Sequence, residues 1–261
     1  MKIIVCIKQV PDTTEVKLDP KTGRLIRDGV PSIINPDDKN ALEEALRIKD
    51  ENPDTMVTVV SMGPPQADVA MREALAMGAD EAILISGREF GGSDTWATSY
   101  IIATAIKKIP DYDIIFCGRQ AIDGDTAQVG PQIAEQLNIP QITYVQKLDI
   151  EGDKVIVQRQ LEDGYTVVEA KMPVLLTAIK ELNTPRYMTP KGIFEAYNKT
   201  VQVWGFNDVP VDAEKIGLKG SPTNVNRTFS PEAKGKGIML EGADKETVKT
   251  LIAKLDEKHL L

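Results

Sequence analysis

The sequence has few of the residues from which catalytic sites are usually built. It has one histidine, His259, and two cysteines, Cys6 and Cys117, among 261 residues. A single histidine argues against histidine-based acid–base catalysis and against a histidine-rich metal site. Two cysteines cannot form a disulfide framework, so a reducing cytoplasm is the expected compartment. We therefore expect no catalytic side chain and no metal site, and we assign any redox chemistry to a bound cofactor.

Charge and hydropathy argue against other classes of function. Lys and Arg number 31 and Asp and Glu number 39, which gives a net charge of −8. An acidic chain is poorly suited to the backbone of a nucleic acid or to an anionic membrane surface. Its longest apolar runs are too short to cross a bilayer, and its first twelve residues lack the pattern of a secretory signal. The hydrophobic fraction of 42% and the charged fraction of 27% are typical of a globular protein.

The first half of the sequence alternates short apolar runs with longer amphipathic ones. The apolar runs predict strands at 3–7, 57–61, 81–85 and 113–117. The amphipathic runs predict helices at 37–50, 65–77, 94–108 and 127–137. Alternation at this spacing predicts βαβ units, hence an α/β fold with a mostly parallel sheet and helices on both faces.

After Pro140 the pattern changes. Strand-like runs at 155–160, 165–170 and 174–179 follow one another with turns and no helix between them, which favours an antiparallel hairpin at the sheet edge. Residues 205–240 are rich in Gly, Pro, Asn and Ser, and so long a loop is uncommon inside a compact domain. We expect an extended arm that lies on a partner and ends in a helix at 245–257. The predicted division is an α/β domain over 1–204 and a C-terminal arm and helix over 205–261.

Ligands bind to open parallel sheets beyond the carboxyl ends of the strands. The segments expected there are 6–10, 61–66, 87–95 and 117–130. In the last of them Gly118 permits close approach of the backbone, and Thr126 can cap the helix that follows, with amide groups free to meet a phosphate. Arg119 can pair with a phosphate or a carboxylate, and Gln128 can bind a base or a flavin edge. A polar loop with a good N-cap would contain the same residues, so both interpretations stay open.

Other helix entries also have two interpretations. Capping explains residues 35–38 without a ligand, and it explains the glycine-rich loop at 91–95, which follows the third strand and not the first. Cys6 and Cys117 are expected to be buried, unreactive thiols. The sequence has no G-x-G-x-x-G after the first strand and no P-loop. The residues by themselves support an anion of adenine-nucleotide size, without naming it.

Several segments resemble the small (beta) subunits of electron transfer flavoproteins. They are MKIIVCIKQVPD at the start, INPDD, ALAMGADEA at 74–82, CGRQAIDGDTAQVGPQIAEQL at 117–137, MPVLLTAIKELNTPRYM at 172–188 and GLKGSPTNV at 217–225. The resemblance implies a heterodimer with an alpha subunit that carries the main electron-carrying FAD. It also implies a nucleotide site on this chain, which holds AMP in simple respiratory members and a second FAD in electron-bifurcating members.

The family's cofactor site, carried over residue by residue, falls on three of the segments that the topology selects and on the helix entry at 35–38. It comprises Cys6, Asn35, Pro36, Asp37, Asp38, Met62, Gly118, Arg119, Gln120, Ala121, Ile122, Asp123, Gly124, Asp125, Thr126, Ala127, Gln128 and Val129. Residues 123–131 resemble the bifurcating branch, in which small side chains leave room for the flavin half of FAD. The loop at 91–95 also resembles bifurcating members, where it would be a place for NADH to dock.

The resemblance to bifurcating members implies a route for electrons. NADH would give a hydride to the FAD on this chain, from which one electron would pass to the alpha-subunit FAD and on to a dehydrogenase flavin. The other would pass to a ferredoxin or flavodoxin. Residues 183–194 match the family's recognition loop, which docks a dehydrogenase of the acyl-CoA, enoyl-CoA or 2-hydroxyacid type. The match is interrupted at Pro190 and over 195–199, which implies a dehydrogenase partner different from that of the respiratory members.

Two alternative functions stay open. One is a non-bifurcating beta subunit that holds structural AMP. The other is a stand-alone ATP- or AMP-binding module that resembles universal stress proteins, although Pro131 after the last glycine departs from the glycine pattern of that class.

Overall fold

The computed structural model describes residues 1–12, 31–226, 235 and 237–261. The chain divides into two compact units, Met1–Asn224 and Val225–Leu261. Residues 205–224, the first part of the predicted arm, thus belong to the first unit, while 227–234 and 236 lie outside the described residues. No helix of the described residues is long and apolar enough to cross a membrane.

The first unit contains both strands and helices, and the described part of the second unit contains one helix of 13 residues. The strands are β1 (Lys2–Cys6), β2 (Gln9–Pro11), β3 (Ser32–Ile34), β4 (Met56–Met62), β5 (Glu81–Ile85), β6 (Ile114–Gly118), β7 (Gln141–Glu151), β8 (Lys154–Gln160), β9 (Tyr165–Lys171), β10 (Val174–Ala178) and β11 (Val201–Trp204). The helices are α1 (Pro36–Glu51), α2 (Asp68–Met77), α3 (Thr95–Ile106), α4 (Val129–Leu137), α5 (Pro190–Asn198), α6 (Gly217–Gly220) and α7 (Lys245–Glu257).

Nine of these strands form one sheet, in the order β11-β5-β4-β1-β6-β10-β7-β8-β9. The pairs from β11 to β7 are parallel, whereas β8 and β9 continue the sheet as an antiparallel hairpin. The predicted α/β class and the hairpin at the edge are both confirmed. Because the chain moves from β1 to β4 on one side and later places β6 on the other, β1 and β6 flank a topological switch point, where such folds bind ligands.

The sheet is covered on both faces, as predicted. Ile3 and Val5 point into a core formed with α1 and α2, while Ile4 and Cys6 point into a second core formed with α3 and α4. This alternation follows from the two-residue period of a strand. Both cores are built mainly from aliphatic side chains, and a fully buried Val, Leu or Ile contributes about 1.5–3 kcal/mol.

The second half of the chain differs from the prediction in five elements. Residues 174–178 do not belong to the hairpin but form β10, which is parallel and central, between β6 and β7. All five of its residues are buried, which explains the continuous apolar run Val-Leu-Leu-Thr-Ala. The predicted loop at 183–194 contains the start of α5, which Thr189 caps through its hydroxyl and Pro190 begins. The strands β7 and β11 and the short helix α6 were not predicted, and neither were β2 and β3 in the first half.

Candidate functional site

A cavity of about 1080 Å³ lies beyond the carboxyl ends of the parallel strands. Its wall is formed by residues that follow β1, β4, β5 and β6, which are the strands on either side of the switch point. The four segments that the sequence placed at this edge all contribute to it. The structure therefore brings together residues more than 100 positions apart in the chain.

The predicted cofactor residues divide into two groups. Those on the cavity wall are Cys6, Asp38, Met62, Gly118, Arg119, Gln120, Ala121, Gly124, Thr126, Ala127, Gln128 and Val129. Those that do not line it are Asn35, Pro36, Asp37, Ile122, Asp123 and Asp125. Wall residues outside the predicted set include Lys8, Gly63, Arg88 and Ser93. Their position at strand ends was the available signal, since they all lie in or next to the four selected segments.

Asp38 joins the two strands of the switch point. Its buried carboxylate accepts hydrogen bonds from the backbone N–H of Lys8, at 2.7 Å, and from that of Gly118, at 2.9 Å. Burial raises the pKa of Asp38 to about 7, and hydrogen bonds from Lys8, Asn35 and Gly118 oppose that rise. A Cβ atom at Gly118 would collide with Oδ1 of Asp38 and would come within 2.6 Å of its backbone nitrogen. Only glycine therefore fits beside this carboxylate.

Asn35 fixes the loop that follows β6. It stands at the N-cap position of α1, yet its side chain makes no capping hydrogen bond. Instead its amide group donates to the carbonyl of Gln120, at 2.8 Å, and its amide oxygen accepts from the N–H of Ile122, at 3.0 Å. The sequence interpretation of Asn35 as a helix-entry residue missed this contact, because the partners lie 85 and 87 positions away.

Two ion pairs and one side-chain hydrogen bond hold the same loop at further points. The ammonium group of Lys8 lies 2.6 Å from Asp123, and the amide of Gln120 donates to Asp125 at 2.7 Å. Arg119 lies 3.4 Å from Asp37, and its guanidinium carbon is 5.9 Å from the centre of the Tyr144 ring. These aspartates do not line the cavity, but their contacts hold residues that do.

The amino end of α4 opens toward the cavity. The helix begins at Val129, and Gln128, not Thr126 as predicted, stands at its N-cap position, with no side-chain capping bond. The side-chain oxygen of Gln128 accepts a hydrogen bond of 3.0 Å from the hydroxyl of Thr95. Thr95 is the first residue of α3. The uncapped amide groups of the first turn are the donors that bind an anion at a helix start.

The glycine-rich loop before α3 is held by a distant segment of the chain. Asp94 caps α3 through Ala97, and its other oxygen accepts from both the backbone and the hydroxyl of Thr223. Burial acts to raise the pKa of Asp94, but these hydrogen bonds outweigh burial and lower the pKa below its usual value. The hydroxyl of Ser93 accepts from the backbone of Gly217. The capping interpretation is confirmed, and the carboxylate of Asp94 is used by the protein itself.

The two cysteines lie side by side at the base of the cavity. Cys6 is the last residue of β1, Cys117 is the last but one of the neighbouring parallel strand β6, and both are buried free thiols. A hydrogen bond with Cys6, followed by burial, raises the pKa of Cys117 well above its usual value. A raised pKa leaves little thiolate, so the prediction of buried, unreactive thiols agrees with this environment. Within the described ranges no group of His, Cys, Asp and Glu could hold a metal ion.

The segment over 183–194 presents apolar side chains from a fixed base. The amide of Asn183 donates to the backbone of Asn40 and to Glu44, while Arg186 pairs with Glu43 and Asp50. Beyond this base Tyr187 is 95% exposed and Phe194, in α5, is 78% exposed. The base is therefore immobilised on α1, while two aromatic rings remain uncovered by any described residue.

Comparison with known proteins finds close similarity along the whole chain. A family model described as the electron transfer flavoprotein domain matches residues 22–209. The chain is 62% identical to the electron transfer flavoprotein subunit beta of Thermoanaerobacterium thermosaccharolyticum, over the full length of both. It is 58% identical to the caffeyl-CoA reductase-Etf complex subunit CarD of Acetobacterium woodii, again over both full lengths. It is 53% identical to the acryloyl-CoA reductase electron transfer subunit gamma of Anaerotignum propionicum, with complete coverage of each chain.

Proposed function

This chain belongs to the electron transfer flavoprotein family, as a beta subunit, and from that membership we propose that it serves flavin-based electron bifurcation. It binds FAD in the cavity beyond β6 and brings NADH to that site as the electron donor. It works as a heterodimer with an alpha subunit that carries a second FAD. The electrons go to a flavin-dependent dehydrogenase and to a ferredoxin or flavodoxin. The free thiols of Cys6 and Cys117 support the cytoplasm as the compartment.

The size and position of the cavity carry this proposal. Ligand sites in proteins usually measure roughly 300–1,000 Å³, and this cavity has about 1080 Å³. The cavity extends from the start of α4 to the loop before α3. The space next to Gly124, on its wall, is open, since an added Cβ would meet nothing within 4 Å. This space supports a dinucleotide over a mononucleotide such as AMP.

The residues on the wall fit an adenine dinucleotide. The amide groups at the start of α4 offer donors to a phosphate, since no side chain caps that helix. Lys8, Arg88 and Arg119 add positive charge near the same wall. The chemistry that a bound flavin supplies is acceptance of a hydride and release of single electrons. The chain itself positions the cofactor and excludes water, and no described side chain has to act as an acid or a base.

The names of the relatives support the bifurcating type. Two of the similar proteins are named as subunits of a caffeyl-CoA reductase complex and of an acryloyl-CoA reductase. Both names join an electron-transfer subunit to a CoA-ester reductase. A dehydrogenase of the acyl-CoA or enoyl-CoA type is therefore the partner we propose for the exposed segment over 183–194, with a 2-hydroxyacid enzyme as the other class. The arm and the second unit are proposed to lie on the alpha subunit.

A count of the cofactors tests the proposal. The chain would be purified together with its alpha subunit under anaerobic conditions, and flavin and AMP would be extracted and quantified. We expect two FAD per heterodimer and bleaching of flavin absorbance by NADH. One FAD and one AMP per heterodimer, with no reaction with NADH, would establish the non-bifurcating alternative. A homodimer that binds ATP and no flavin would establish the stress-type module.

A further inference from the structure

We propose that Arg72, a residue of α2, is a positioning residue for partner docking. It caps the carboxyl end of α5 and thereby presents Phe194 and Tyr197 to the dehydrogenase as a preformed surface. The inference rests on the proposed function, because it requires a dehydrogenase to dock on this part of the chain. It extends the docking surface beyond residue 194 and makes the order of that surface depend on a residue of another helix.

The helix α5 is too short to be stable without support. It has nine residues, and isolated helices shorter than about 12–15 residues are marginal in water. Its amino end is capped by Thr189, whose hydroxyl accepts a hydrogen bond from the N–H of Gly192. The last carbonyl groups of a helix have no partner within it, so the carboxyl end of α5 needs donors from elsewhere.

Arg72 supplies these donors from α2. Its Nη1 atom donates to the carbonyl of Ala196, at 2.8 Å, and to that of Lys199, the C-cap residue, at 2.7 Å. The guanidinium group also brings a positive charge to the negative end of the helix dipole. Its carbon lies 5.5 Å from the centre of the Tyr197 ring, within the range of a cation–π contact. One side chain thus holds both the last turn of α5 and a ring on it.

Close packing on α2 determines which face of α5 points outward. A Cβ built on Gly192 would collide with the carbonyl oxygen of Ala76, the last residue but one of α2, so only glycine allows this approach. Ala196 is buried in the core that α2 shares. Phe194 and Tyr197, three positions apart and hence on one side of the helix, are 78% and 72% exposed. The same packing that buries one face of α5 therefore presents the two rings.

A docking surface that is already ordered binds more tightly than a mobile one, because the free energy of ordering it is not subtracted from the binding energy. Loss of Arg72 would leave two carbonyl groups of α5 without their donor and would release the last turn. Arg72 does not line the cofactor cavity. The effect should therefore fall on the affinity for the dehydrogenase and not on the flavin.

Steady-state kinetics can separate these two effects. The heterodimer would be reduced with dithionite, so that the result does not depend on NADH, and an acyl-CoA dehydrogenase would be the varied partner. We expect Arg72→Met to raise the KM for the dehydrogenase about tenfold, with kcat within about twofold of the native value and flavin content unchanged. Arg72→Lys keeps the charge and a donor but loses the planar fork, so its KM should lie between the two.

Asp68→Asn is the matched control. Asp68 is the other partner of Arg72, at 3.3 Å from its Nε atom, and its replacement leaves both carbonyl contacts in place. The KM should stay at the native value, since exposed ion pairs contribute little. A double variant tests whether Arg72 acts through the ring of Phe194. In a Phe194→Ser background Arg72→Met should have a much smaller effect on KM, and fully additive effects would contradict the inference.

The outcomes distinguish the inference from the proposed function. An unchanged KM for Arg72→Met, with a raised KM for Phe194→Ser, overturns the inference and leaves docking on this segment standing. An unchanged KM for both variants removes the docking site and the inference with it. If Arg72→Met does not fold, hydrogen exchange of the native heterodimer decides the matter. The amides of α5 should be protected before any dehydrogenase is added, and rapid exchange there would refute a preformed surface.

Discussion

The side-chain amide of Asn35 donates a hydrogen bond of 2.8 Å to the backbone carbonyl of Gln120, which lies 85 residues further along the chain. The same amide group accepts from the N–H of Ile122. One fully buried side chain thus satisfies two backbone groups of the loop that forms the cavity wall. Because a loop has no ladder of its own to fix it, this contact sets the loop's position relative to α1.

Replacing Asn35 should therefore damage the cavity and the fold together. Asn35→Ala leaves the carbonyl of Gln120 and the N–H of Ile122 without partners, and we expect the free energy of unfolding to fall by about 1–3 kcal/mol. Nucleotide affinity should fall as well. Asn35→Asp retains the acceptor for Ile122 and loses the donor to Gln120. Its stability and nucleotide affinity should therefore lie between those of the native protein and of Asn35→Ala. Urea unfolding and AMP binding would check both, and an unchanged affinity for Asn35→Ala would contradict the assigned role.

Two glycines of the same loop should respond in opposite ways to a methyl group. Gly118→Ala forces a Cβ into Asp38, so we expect loss of the nucleotide and destabilisation by about 1–3 kcal/mol from overpacking. At Gly124 the added Cβ meets nothing within 4 Å, so Gly124→Ala should leave the stability within about 1 kcal/mol of the native value. Thermal unfolding of both variants tests the pair. Equal tolerance at both positions would show that Asp38 is not packed as described.

A large side chain at Gly124 distinguishes a dinucleotide from a mononucleotide. Gly124 lines the cavity, and its open surroundings leave room for a ring to enter without displacing the core. We expect Gly124→Phe to abolish binding of FAD to this chain while the thermal midpoint stays within a few degrees of the native one. Flavin content after purification with the alpha subunit gives the measurement. Full retention of two FAD per heterodimer would place the flavin elsewhere.

The stability of the chain should depend on pH through Asp38. Burial raises the pKa of Asp38 from 3.8 to about 7, so between these values the folded state binds a proton that the unfolded state does not. The stabilisation is complete below about pH 4 and is lost as the pH rises toward 7. The slope contributed by this group is at most about 1.4 kcal/mol per pH unit. The free energy of unfolding of the native protein, measured at pH 5 and at pH 8, should include this contribution at the lower pH. In Asp38→Asn the difference between the two pH values should be smaller by that contribution.

The exposed aromatic residues should matter for partner docking and not for the cofactor. We expect Tyr187→Ser with Phe194→Ser to weaken electron transfer to the dehydrogenase by tenfold or more, while reduction of flavin by NADH stays unchanged. Both side chains are exposed, so the fold should tolerate the change. Tyr165→Ser, at an exposed position on the edge strand β9, is a control of similar chemistry. Equal effects from the control would remove the specific role of this segment.

Local patterns in the sequence were sufficient for the first half of the fold. The helices and strands predicted up to residue 137 appear within three residues of their predicted bounds, because each is a regular amphipathic or apolar run between clear stop signals, and the short strands β2 and β3 were not predicted. β10 was misplaced because a continuous apolar run indicates that a strand is buried but does not indicate which strands lie beside it. α5 was missed because its start at Pro190 lies inside a segment read as a loop.

The site was only partly predictable for a related reason. Strand ends select the segment that contains Gly118, whereas Asp38, in the first turn of α1, was placed at the site only by the family resemblance. The sequence does not reveal that the carboxylate of Asp38 spans both strands or that Thr223 reaches Asp94, since these contacts join residues 80 and 129 positions apart. Polar contacts between distant residues leave no periodic pattern in the sequence. The role of Asn35 was missed for the same reason.

The place of β10 in the sheet bears on how the polypeptide acquires its shape during synthesis. β6 and β7 precede β10 in the chain but are separated by it in space. Until residues 174–178 leave the ribosome, the two earlier strands keep unpaired N–H and C=O groups on the edges that β10 will join, and such edges attract other chains. Parallel pairing across this distance also raises the contact order and slows folding. The central strand thus makes completion of the sheet one of the later events in the life of the nascent chain.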